Sequence, residues 1–137
     1  MSKILALDLG DKHVGVALSD ALRFFAQPYD TIAAENLSQF LTKIITAEQL
    51  STIVIGYPKT LKNTESQQTL KIKQLYEQLV VQFPQIQFVL WDERLTSQAA
   101  AKYVNSRDKA DRLRAHAIAA AIILDTYLAH LRFITET

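Results

Sequence analysis

The chain has no cysteine. Disulfide staples, Cys-ligated metal centres and Cys nucleophiles are therefore excluded, and a reducing compartment fits. Glycine and proline are almost as scarce, with three of each in 137 residues. So few chain breakers leave little room for linkers. There is no repeat and no low-complexity stretch, so 1–137 is expected to be a single domain. Net charge is only +1, so no global field advertises a nucleic-acid partner. Long hydrophobic runs are missing too. The first, Ile4 to Leu7, stops at Asp8 and does not resemble a signal peptide. The most apolar later stretch, Ala115 to Leu131, carries His116 and Asp125 and is short for a bilayer span. A buried helix is expected there, with no membrane partner.

What is present is a hairpin-rich start followed by alternating strands and helices. Ile4 to Leu7 reads as a strand ending in a turn at Asp8-Leu9-Gly10, and Val14 to Ser19 as a second strand close enough to pair as a hairpin. Phe24 to Ile32 reads as a third, interrupted at Pro28, which suits an edge. Leu37, Phe40, Leu41, Ile44 and Ile45 repeat at helical spacing. Thr52 to Tyr57 is a compact β-branched strand. Thr64 with Gln67 resembles a capping box, and Leu70, Leu75 and Leu79 mark the helix behind it. Ile86 to Trp91 is a further strand. Helices are expected from Thr96 or Ser97 to about Val104, and from about Asp111 to Leu131. This order implies an α/β protein with a mixed sheet and helices on its faces.

Functional residues in such sheets gather beyond the carboxyl ends of the strands. Asp8 follows the first strand directly, and Asp92-Glu93 follow Trp91 directly. Each alone also fits a turn residue or a solvated strand end. Two acidic strand ends in one small sheet are more suggestive, because carboxylates brought together repel and are usually kept for a cation. Hard oxygen donors without Cys suit Mg²⁺ or Mn²⁺ and disfavour zinc. Gly10 and Gly15 bracket the first hairpin turn, where they would either let a phosphate backbone approach Asp8 or simply satisfy the turn. Between Ala100 and Arg114 five bases (Lys102, Arg107, Lys109, Arg112, Arg114) face two acids (Asp108, Asp111), a local +3 that suits phosphates or a solvated loop. Trp91 and Tyr57 lie near strand ends and could stack on bases, but the core is expected for Trp91.

Three segments together resemble the YqgF (RuvX-like) family, the Holliday-junction-resolvase-like proteins assigned to processing of pre-16S ribosomal RNA. They are Leu7-Asp8-Leu9-Gly10-Asp11-Lys12-His13-Val14-Gly15-Val16-Ala17-Leu18-Ser19-Asp20, Ile53-Val54-Ile55-Gly56-Tyr57-Pro58, and Asp92-Glu93-Arg94-Leu95-Thr96-Ser97. The run Ala119 to Leu124, then Tyr127-Leu128, resembles the family's last helix. The resemblance implies a ribonuclease-H-like fold, a mixed five-stranded sheet with helices on both faces. It also implies a cytoplasmic, metal-dependent phosphodiester hydrolase using Mg²⁺ or Mn²⁺. Its substrate would be nucleic acid: the 5′ end of pre-16S rRNA, or branched DNA in a resolvase-like alternative. Asp8 carries over as the first catalytic acid and metal ligand, and Glu93 as the second. Lys12 and Arg94 match positions near substrate phosphate.

The chain departs from the family at three positions. His13 stands where the family usually has Arg, so that substrate contact is expected to be weaker or pH-dependent. The stretch Leu61-Lys62-Asn63 stands where the family has Gly, and Asn63 is the next-best residue for a left-handed backbone. His116 stands where the family places a third carboxylate. It is read as a metal ligand through neutral imidazole, as a proton shuttle, or as a lone helix histidine; a place near the metal is favoured, and imidazole suits Mn²⁺ better than Mg²⁺. Asp111 could replace the missing carboxylate only if the helix starts after it, being about 140° round a helix of 3.6 residues per turn. Two other classes compete with the nuclease. One is an RNA-binding ribosome-assembly protein with weakened catalysis. The other is a sugar-kinase or actin-like ATPase, disfavoured by one lobe and three glycines. A homodimer would suit a two-fold junction and a monomer would suit RNA trimming.

Overall fold

Aliphatic and β-branched residues dominate the strands because a central strand covered on both faces must be apolar on both. In the computed structural model, which describes residues 2–57, 67–92 and 109–136, Ile4–Leu9 forms β1 and His13–Ser19 forms β2. The two pair antiparallel, with Asp8 opposite Gly15. Their turn is closed by the Gly10 N–H donating to the His13 carbonyl at 3.0 Å. β3 (Ala26–Ala33) pairs antiparallel with β2. A 3₁₀ turn (Ala34–Asn36) leads into α1 (Leu37–Ala47). β4 (Thr52–Tyr57), α2 (Gln67–Gln82), β5 (Gln87–Asp92) and α3 (Lys109–Glu136) follow. β4 lies parallel to β1, and β5 parallel to β4, so the order across the five-stranded sheet is β3-β2-β1-β4-β5. The mixed sheet with helices on both faces is therefore as expected.

Alternation along β1 sorts its side chains into two cores. Leu5, Leu7 and Leu9 pack with Val14, Val16, Ile53 and Ile55 beneath α1 (Leu37, Leu41, Ile44) and α2 (Ile72, Leu79). Ile4 and Ala6 face the other way, with Ala17 and Val54, and meet Ala120, Ile123, Leu124, Tyr127 and Leu128 of α3. Burying each of the large aliphatic side chains is worth about 1.5–3 kcal/mol. Small residues on the second face let a long helix lie close to the sheet. Trp91 joins this face, edge-on to Tyr127 at 5.2 Å between ring centres, with its Nε1 donating to Thr126 Oγ1 at 2.9 Å. Core, rather than base stacking, is its role.

Pro28 falls on the edge strand, where its missing N–H costs no ladder bond. Ala17 pairs Pro28 and Val16 pairs Asp30, so Tyr29 is the extra residue of a bulge. α3 begins at Lys109 and ends at Glu136, earlier and later than the sequence pattern suggests. Residues Ala110–Ile134 are long and apolar enough to cross a membrane by length and composition. Shortness therefore does not exclude a span; the packing of one face of α3 on β1, β2 and β3 is what makes it a core helix. Thr31 Oγ1 fastens it by donating to the Leu113 carbonyl at 2.5 Å. The expected helix over 96–104 and the Leu61-Lys62-Asn63 turn lie outside the described residues.

Gly15 has a purpose the hairpin reading did not identify. It is buried, and a Cβ there would overlap the His116 carbonyl and crowd the Ala117 N–H. The glycine neither admits a phosphate nor merely serves a turn: it lets the α3 main chain rest on the sheet. Because backbone cannot swing aside, Gly15→Ala is expected to cost about 3 kcal/mol of stability. Urea unfolding of the two proteins measures this; a cost below half that would mean α3 can lift off the sheet freely.

Candidate active site

Asp8 is the penultimate residue of β1 and, by alternation, faces α3 along with Ile4 and Ala6. Among the described residues no hydrogen bond or ion pair reaches its carboxylate. Burial strips water from it and raises its pKa from 3.8 to about 6. A carboxylate held in that condition is a poor structural element and a good cation ligand.

Two histidines share this corner. His13 opens β2 on the α3 face, two residues before Gly15. His116 lies on α3, its main chain against Gly15 and its Cε1 facing Gly10, near where a Cβ would stand. The rings are tilted together with centres 5.6 Å apart. Burial, and then the neighbouring His13, lowers the pKa of His116 below the ordinary 6.5, so its imidazole is neutral at physiological pH. A neutral imidazole can ligate a metal or accept a proton. Of the predicted residues, the fold thus brings Asp8, His13 and His116 to one strand-end corner. Lys12 is exposed in the β1–β2 turn beside them. Glu93 and Arg94 lie outside the described residues; they follow Asp92, where β5 ends. The carboxyl ends of β1 and β5 flank that of β4, at about 10 Å from each other, or two inter-strand spacings.

Asp111 does not replace the absent carboxylate. α3 begins before it, which holds it at helical spacing from His116, and its Oδ1 pairs with Arg114 Nη1 at 3.5 Å. Among the described residues no three acidic or histidine side chains converge as a metal cluster. The His13–His116 contact was not anticipated. Strand parity could have found it, since pairing Asp8 with Gly15 puts His13 on the same face as Asp8.

Residues 2–130 match the RuvX family, described as Holliday junction resolvase. The chain belongs to the RuvX family. A relative from Phocaeicola vulgatus assigned as a pre-16S rRNA nuclease is 33% identical over 98% of this chain and all of its own length. Another with that assignment, from Sulfurihydrogenibium sp., is 37% identical over 99% of this chain and 96% of its own. Thermus thermophilus RuvC, solved with a Holliday junction substrate, superposes with a TM-score of 0.55 at 11% identity, covering 96% of both chains. That likeness establishes the ribonuclease-H-like fold of this RuvX chain.

The raised pKa of Asp8 makes a prediction about stability. Below about pH 3.8 the group is protonated in folded and unfolded chains alike and costs nothing. As pH rises towards 6 the unfolded chain ionises first, and above about 6 the folded protein carries the full penalty, near 3 kcal/mol for a shift of this size. Asp8→Asn, metal-free, is therefore expected to be the more stable protein at pH 7.5 by about 2 kcal/mol, allowing for imperfect amide hydrogen bonding. The advantage should vanish near pH 3.5. Thermal unfolding across pH checks this, and equal stability at pH 7.5 would refute it.

Proposed function

We propose that this RuvX protein is a metal-dependent phosphodiester hydrolase, a single nuclease domain over 1–137 that trims the 5′ end of pre-16S rRNA in the cytoplasm. The observation that carries the proposal is Asp8: a desolvated carboxylate at the carboxyl end of the central strand, with neutral imidazole beside it. The assignment of full-length relatives as pre-16S rRNA nucleases supports the substrate.

The donor chemistry suits a divalent cation, because cation binding relieves the desolvation of Asp8. Asp8 and Glu93 would hold Mg²⁺ or Mn²⁺, with His116 as the third ligand in the place of a carboxylate. When bound, the ion supplies positive charge against the phosphate and lowers the pKa of a bound water. The chain's own groups do the rest. Lys12, exposed on the hairpin turn, and Arg94 would position substrate phosphates by charge. His13, at the same corner, would contribute a further substrate contact. The packing of α3 on Gly15 partly shields the Asp8 corner from water, which strengthens charge interactions made there.

A second reading, an RNA-binding assembly protein with weakened catalysis, is favoured by one feature: His116 stands in place of an acid. A resolvase-like action on branched DNA rests on the family's description and the RuvC fold.

The test is cleavage of 5′-extended 16S precursor RNA and of a four-way DNA junction, with Mg²⁺ or Mn²⁺. Wild type is expected to cut the RNA, and Asp8→Asn to lose at least about 10³-fold in rate, the scale on which enzymes lose transition-state charge stabilisation. Metal-independent binding with no cleavage would instead establish the assembly role. His116→Asp is expected to raise the rate with Mg²⁺ relative to Mn²⁺, by exchanging imidazole for a harder ligand. An unchanged metal preference would remove His116 from the ligand set.

A further inference from the structure

The end of the sheet remote from Asp8 is built differently. There the loop between β2 and β3 projects Leu22, Phe24 and Phe25 into solvent, and the last described turn of α3 adds Phe133 and Ile134. These five side chains are 51–68% exposed. Arg132 Nη1 donates to the Phe24 carbonyl at 3.3 Å, which sets the helix end beside the loop.

The loop is tied down. The Asp20 carboxylate accepts the backbone N–H groups of Phe24 at 2.9 Å and Phe25 at 2.8 Å. These bonds, Phe25 first, hold the Asp20 pKa below its ordinary value. Arg23 sits in the left-handed region at φ 62°, where a non-glycine residue is uncommon, and its Nε donates to the Ser2 carbonyl at 2.8 Å. A strained, fastened turn that holds large apolar groups in water is a preorganised contact surface rather than a frayed loop. Beside it lies an open cavity of about 560 Å³, walled by Phe25, Leu18, Pro28 and Tyr29 and crossed by the Lys3–Glu48 ion pair at 2.9 Å.

We infer that this edge is a two-fold homodimer interface, with the Leu22/Phe24/Phe25 loop and the end of α3 of each copy packing on the same surface of the other. Two arguments identify a second copy as the occupant. The first is area. At these exposures the five side chains present on the order of 600 Å² of mostly apolar surface, near what the apolar core of a standard interface of about 800 Å² per partner requires. The second is charge. Lys3, Arg23 and Arg132 are nearly balanced by Asp20 and Glu48. That balance lets the patch meet itself without like-charge repulsion, whereas an RNA or an anionic membrane would call for a basic surface. Projections beside a cavity are the relief that a two-fold contact, with the same patch on both copies, can use.

The interface leaves the catalytic corners at opposite ends of the dimer. β1 runs from this edge to Asp8, so each Asp8 lies about 15 Å or more from the contact. The two sites then work on separate scissile bonds, not on the paired strands of one junction. This inference does not depend on which nucleic acid is cut.

Sedimentation equilibrium of the full chain between 1 and 200 μM tests it. Wild type is expected at twice 15.5 kDa in the upper range. Phe25→Asp and Phe133→Asp, each singly, should weaken dimerisation at least tenfold, while Val81→Asp on exposed α2 should not. Folding of each variant is checked by circular dichroism, and cleavage per protomer should stay at the wild-type rate. A wild type that remains monomeric at 200 μM overturns the proposal whether or not the variants fold. So does a dimer indifferent to both substitutions, or a monomer that pellets with anionic vesicles.

Discussion

The contact between the α3 main chain and the sheet at Gly15 governs the rest of the architecture. Gly15 stands opposite Asp8 in the β1–β2 ladder, so a helix resting on Gly15 also covers the end of β1. The same contact brings His116 to the corner that His13 already occupies. Ala6, Ala17 and Ala120 continue the close approach along the sheet. What is gained in apolar burial along α3 is partly given back at its first turns, where an acid loses its water. On the proposed function, stability and activity pull in opposite directions at Asp8, where unfavourable charge would be stored for a cation to relieve.

The sheet topology explains why the site is at this end. β1, β4 and β5 are parallel and deliver their carboxyl ends to one edge. β2 alone runs the other way, so its start brings His13 to that end and the apolar loop joining it to β3 lies at the opposite one. A single sheet thus separates a charged, partly dry end from an apolar, solvent-facing end. The first suits phosphate chemistry and the second suits protein contact.

Much of this was legible in the residues. Alternation and β-branched runs located all five strands to within a few positions, because burial on one or both faces leaves a direct imprint on the pattern. Pro28 marked the edge strand for a simple reason, a missing donor. Asp8 was legible as an acid at a strand end, but its burial was not, since desolvation comes from a helix more than a hundred residues later in the chain. Gly15 was misread for the same reason: within a hairpin a glycine looks like turn chemistry, and only the third dimension shows the backbone lying on it. The start of α3 was also hidden, and with it the fate of Asp111, because charged residues at 107–114 obscure where the helical period begins. The roles of Glu93 and Arg94 rest on family resemblance.

The central claim is that Asp8 is kept desolvated for a divalent cation. Its carboxyl ¹³C titration, first metal-free and then with saturating Mg²⁺, measures this directly. The expected midpoint is about 6 without metal, falling by more than a unit when Mg²⁺ is present. A midpoint near 3.8 that does not respond to Mg²⁺ would contradict it.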